Sequence, residues 1–127
     1  MFAIDDPEVE VLGALAGSGL PGLATKADGD SLSLFSSVPG IPARLLREFM
    51  ARAGVHVYAD GNDPIQVGSD WITLVAATAG AKTLRLPRAR PVYDILADQA
   101  ISRLADEFTV ELSAGETGIY YLGPEGR

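Results

Sequence analysis

The sequence predicts a β-rich α+β fold. Short hairpins and one amphipathic helix, at about residues 42–53, precede a small antiparallel β-sandwich. Three observations carry this. Apolar and polar residues alternate in several short runs, the pattern of half-buried strands. Turn-forming residues punctuate those runs, as in "DGDS", "DGNDP" and "SAGE". One stretch alone, "PARLLREFMARAG", spaces its apolar residues as a helix does.

Taken in order, "EVEVLGAL" opens with strand-like alternation. "GLATKA" and "SLSLFSS" are two further strand candidates. "DGDS", Asp28 to Ser31, supplies the turn chemistry for a hairpin between them. "VPGIP" then breaks the chain. Pro42 suits the start of a helix, where a missing N–H costs nothing. Leu45, Leu46, Phe49, Met50 and Ala53 form an apolar stripe, and Arg44, Arg47, Glu48 and Arg52 lie across from it. Gly54 fits the left-handed position that ends many helices. If the stripe is core, Phe49→Ala costs ~3–5 kcal/mol. "VHVYA" alternates next, with Val55, Val57 and Ala59 on one face and His56 and Tyr58 on the other.

The texture changes after "DGNDP". "WITLVAAT", "KTLRL", "PVYDIL", "FTVEL" and "TGIYYL" read as separate strands, with "TAGAK" and "SAGE" as hairpin turns. "DQAISRLADE", residues 98 to 107, has helix-compatible spacing at Ile101, Leu104 and Ala105 and reads as a short helix or an irregular connection. The expected domains are therefore 1–62, a partial α/β layer of hairpin, helix and strand, and 63–127, an antiparallel sandwich. The two are expected to pack as one compact unit.

Composition excludes several classes of function. The chain has 127 residues, of which 47% are hydrophobic, enough for a core without covalent staples. It has no cysteine, which removes disulfides, thiolate catalysis and cysteine-ligated metals. A net charge of −7 repels nucleic-acid phosphates and anionic lipid, so neither nucleic acid nor membrane is an expected partner. No run is long enough to span a bilayer, and "MFAIDDPEVE" lacks the features of a secretion signal. A cytoplasmic location is the resulting expectation. No cofactor is expected.

Each candidate for chemistry has a plainer reading beside it. "GSGLPG", Gly17 to Gly22, matches a phosphate-loop spacing, but Pro21 interrupts it and no helix is expected to follow. His56, the chain's one histidine, could act as a general base, yet no nucleophile motif accompanies it. Asp60, Asn62 and Asp63 cluster hard oxygen donors that suit calcium, although such residues are also ordinary turn formers. Lys82, Arg85, Arg88 and Arg90 concentrate positive charge, read as a solvated strand edge. Trp71, Tyr58 and Tyr93, joined by one of Tyr120 or Tyr121, could form a platform for a sugar ring, since neighbouring strand residues face opposite sides. The candidate ligand-binding residues are thus Trp71, Tyr58, His56 and Tyr93. No catalytic residue is assigned, and the chain does not read as an enzyme.

"DDPEVEVLG", "SLFSSVPGIPARLLREFMARAGVHVYAD", "AGAKTLRLPR" followed by "VYDIL", and "FTVELSAGETGIYYLG" occur in that order. This succession, from about Phe2 to Gly123, resembles the C-terminal region of bacterial β-galactosidase-like glycoside hydrolases. There an amidotransferase-like α/β domain is followed by a small β-sandwich. The resemblance implies the end of that α/β domain up to about residue 60, then the terminal sandwich. It implies that catalysis resides in a barrel absent from this chain. It also implies a non-catalytic accessory or oligomerisation role, through self-association or a glycosidase-type partner chain. A carbohydrate-binding module that uses exposed aromatics is the alternative, and a small hydrolase centred on His56 a more remote one.

Overall fold

A computed structural model describes residues 3–124. Phe2, where the resemblance begins, lies outside the described residues, as do Met1 and residues 125–127 of the two predicted domains. The fold is β-rich α+β, with one short helix and two antiparallel sheets among the described residues. The chain divides into two compact units between Val55 and His56.

The first unit holds strands β1 (Glu10–Ala14), β2 (Pro21–Asp28) and β3 (Ser31–Ser36), in the order β1-β2-β3, and helix α1 (Ala43–Arg52). "DGDS" makes the β2–β3 hairpin turn, with Asp28 opposite Ser31 and Gly29 at φ +56°. "GSGLPG" runs from the loop after β1 into the first two residues of β2, and the loop is closed by the Leu15 N–H on the Leu20 carbonyl at 2.8 Å. It joins two antiparallel strands and no helix follows it, so it is no phosphate cradle.

The helix stands almost where its punctuation puts it. Pro42 is the cap residue in extended backbone, φ −57° and ψ 137°. At the other end Gly54 takes φ +76°, its N–H bonds Ala51 O, and the Val55 N–H reaches back to Met50 O. That pair of bonds is a Schellman motif, which satisfies carbonyls the last turn leaves open. The packing departs from expectation. No α1 residue is buried. Leu45 and Phe49 are half-buried, lining with Leu12, Thr25 and Leu34 a small cavity of about 100 Å³, while Leu46 and Met50 are exposed. The apolar stripe is wider than the cover the unit's three strands provide.

The second unit holds β4 (Ile65–Val67), β5 (Trp71–Val75), β6 (Gly80–Asp94), β7 (Gln99–Leu112) and β8 (Thr117–Leu122), in the order β4-β5-β8-β6-β7. The β6–β7 hairpin loses regular register between Arg85 and Arg90, around Pro87, which cannot donate to a ladder. Leu84 and Phe108 come from one side of this break, Leu86 from within it and Val92 from the other side. They share a core with Ile72, Leu74, Ala76, Tyr120 and Leu122. The sheet thus closes over its own apolar side in a sandwich-like arrangement.

Several local expectations are corrected. "VHVYA" forms no strand; beyond the Val55 N–H that closes the helix, its backbone takes a bond from the Arg85 N–H to Tyr58 O at 2.8 Å. Residues 98 to 107 belong almost wholly to strand β7, because pairing with β6 outweighs their helical propensity. "KTLRL" and "PVYDIL" are one long strand interrupted by irregular pairing. "TAGAK" joins β5 to β6 and "SAGE" joins β7 to β8; neither pair are neighbours, so both are crossover connections and no hairpin turns. The basic residues of β6 do not form a solvated edge. Lys82 is largely enclosed against Asp63, and Arg85 bridges Asp60 and Glu107. No helix among the described residues is long and apolar enough to cross a membrane.

Candidate functional site

The feature that stands out is a row of aromatic rings on the outer side of the second unit's sheet. Trp71 on β5 pairs directly with Tyr121 on β8, and Tyr121 pairs with Tyr93 on β6. Directly paired residues point to the same side of a sheet. Their chain neighbours Ile72, Tyr120 and Val92 point the other way and are buried in the core. The three rings remain open to solvent, at 44% for Trp71, 45% for Tyr121 and 37% for Tyr93.

Each end of the row is fixed by a separate device. The Trp71 indole lies against Gly68, where a Cβ would come within 2.6 Å of Nε1. Only glycine leaves room for the ring there, and the Gly68 N–H bonds Trp71 O across the turn at 2.9 Å. At the other end, the Tyr93 hydroxyl donates to Asp98 Oδ1. That bond to the carboxylate raises the phenol above its ordinary pKa, with desolvation adding to it. Asp98 has φ +53°, the one non-glycine residue among those described with positive φ. Aspartate tolerates this conformation better than most residues.

Between them Arg90 ties the strand ends together. Its guanidinium donates to Gly123 O at 2.8 Å, Ser69 O at 2.6 Å, Asp70 Oδ1 at 2.8 Å and Leu122 O at 2.8 Å. Asp70 precedes Trp71 and Leu122 follows Tyr121, so one side chain holds the backbone from which two of the rings project. The Leu122 N–H adds a bond to Asp70 O at 2.8 Å. Beside Tyr93 and Tyr121 lies an open depression of about 390 Å³, bordered also by Ser102 and Arg103.

The other residues proposed from sequence lie elsewhere in this unit. His56 is exposed and its Nε2 donates to Arg85 O at 2.9 Å. Its ring meets the edge of Tyr58 at 4.6 Å between centroids. Together they dock the segment after the helix onto β6. Tyr58 packs against the core and stands outside the row.

Asp60 pairs with Arg85 at 2.7 Å. Asp63 is enclosed, accepting the Ala77 N–H at 2.8 Å and Lys82 Nζ at 3.1 Å. Burial pushes the Asp63 carboxyl up, but those two donors outweigh it and hold it below its usual range. Both carboxylates therefore already face cations. Asn62 lies between them in sequence, and the described residues contain no group of three or more His, Asp or Glu placed to hold a metal ion.

The sequence names Trp71 and Tyr93 but leaves Tyr120 and Tyr121 open. The structure selects Tyr121. Tyr120 is fully buried with its hydroxyl unpartnered, and burial, with Asp94 and Glu116 nearby, pushes it up to about 12. Gly68, Asp98 and Arg90 escape sequence reading altogether; Gly68 and Asp98 carry turn signals alone, and Arg90 reads as surface charge. No protein-family profile matches the sequence, and a search of curated proteins finds no match.

Proposed function

We propose that this chain is a non-catalytic assembly module, akin to the C-terminal part of β-galactosidase-like glycoside hydrolases. It associates with a second copy or with a glycosidase-type chain through its first unit. The observation that carries this reading is the open side of α1. The helix has a second apolar row, Leu46 and Met50, that the unit's described residues leave exposed at 39% and 42%. Leu12 is exposed beside the helix, while Val11 and Phe35 are exposed on the sheet's other face. Ala24 is the unit's one buried apolar side chain larger than glycine among those described. Apolar surface left open on this scale marks an interaction site. The resemblance of the segment order to the C-terminal region of those hydrolases supports the class of partner.

Light scattering across a concentration series tests the proposal. The apparent mass should rise with concentration, or on addition of a β-galactosidase-like chain. A variant carrying Leu46→Glu and Met50→Glu should stay monomeric in both conditions. A strict monomer at high concentration that ignores the added chain overturns the reading.

A further inference from the structure

We propose that Trp71, Tyr121 and Tyr93 form a stacking platform for an uncharged, extended, β-linked polysaccharide, bound as a single chain. This goes beyond assembly and uses the other unit. Neighbouring strands lie about 4.8 Å apart, so a row across three strands spans roughly 10 Å. That matches a disaccharide repeat of an extended pyranose chain. Pyranose C–H bonds carry partial positive charge on the flat side of the sugar. Aromatic faces are negative, and the two attract.

The platform is built before any ligand arrives. Gly68 sets the indole, Asp98 holds the Tyr93 hydroxyl, and Arg90 fixes the strand ends. Rings already held lose little freedom on binding. Ser102 and Arg103 border the depression beside Tyr93 and Tyr121, where sugar hydroxyls need polar partners.

Charge and shape narrow the occupant further. Stacking rows also serve single-stranded nucleic acids, but those sites add a positive groove. Here the net charge is −7, Arg90 is taken up by Asp70 and three carbonyls, and Arg103 is a single cation among the residues bordering the depression, which is no positive groove. Adjacent strands rotate by roughly 20–25° each, so the row turns through about 40–50° overall. A twisted row follows one soluble chain better than the flat surface of a crystalline polysaccharide.

Trp71 is the chain's single tryptophan, so its emission reports directly on the row. The full chain is titrated with cellohexaose, xylohexaose and mannohexaose. At least one should give a saturable blue shift, and maltohexaose, which coils, should bind more weakly. Tyr121→Ala and Tyr93→Ala should each weaken binding about tenfold while keeping the reporter. Gly68→Ala should displace the indole, change the emission before ligand is added and lower affinity several-fold. Phe35→Ala, an exposed aromatic of the other unit, should bind as the parent does. The proposal falls if none of the three β-linked sugars gives a saturable shift. It also falls if Tyr121→Ala keeps full affinity, or if an oligothymidylate saturates the emission while the sugars do not.

Discussion

In the second unit, eight buried side chains from four strands, with Ala76 just after β5, close into one core. In the first, an amphipathic helix lies over three strands and buries none of its own residues. Both units carry apolar residues at suitable spacing, so hydrophobic content does not separate them. The difference is cover. The β6–β7 hairpin is long enough to close over its neighbours, whereas the first unit's described residues supply no element beyond α1 for the helix's outer row. Self-sufficiency here is a matter of topology more than of composition.

The largest test of that contrast is truncation of the core. Leu74→Ala should cost ~2–5 kcal/mol in urea denaturation, whereas Phe49→Ala, half-buried, should cost about 1 kcal/mol. Equal losses would mean that the first unit is as well packed as the second. Amide exchange should agree, with β5 and β8 protected longer than β1 and β3.

The Lys82–Asp63 pair comes next. Its side chains are 11% and 7% exposed, so removing the cation strands an enclosed carboxylate. Lys82→Met should cost about 3 kcal/mol near neutral pH. Asp63 titrates below its ordinary value of 3.8 when folded. Its contribution is therefore present above the unfolded value and lost as pH falls through the folded one. The gap between Lys82→Met and the parent should narrow in acid, because protonation removes the stranded charge. A gap independent of pH between neutral and strongly acidic solution would contradict the pairing. The smallest effect belongs to the exposed Arg44–Glu48 pair on α1, 3.1 Å apart. Glu48→Ala should leave the denaturation midpoint within error, as exposed pairs usually do. A clear shift would show that charge and not cover limits the first unit.

Signals confined to a few residues are legible in the sequence. Pro42, Gly54 and the apolar spacing between them place the helix, and "DGDS" places its hairpin. Signals that depend on a distant partner are not. Ile101, Leu104 and Ala105 suit a helix until β6 lies beside them. "VHVYA" alternates like a strand, but ladder pairing is missing. The same limit governs the aromatic row. Composition offers Trp71, Tyr93 and a tyrosine pair, and alternation says that one of the pair qualifies. Only the register of β5, β8 and β6 decides for Tyr121 and excludes Tyr58.

That register also bears on folding kinetics. β6 and β7 are joined by a short turn and are close in sequence, whereas Trp71 and Tyr121 pair across the whole of that hairpin. Contacts between segments distant in sequence carry the larger loop-closure cost and form late. Tryptophan emission should then lag behind the far-ultraviolet signal in a stopped-flow refolding experiment, so that the final step of folding and the completion of the aromatic row are one event.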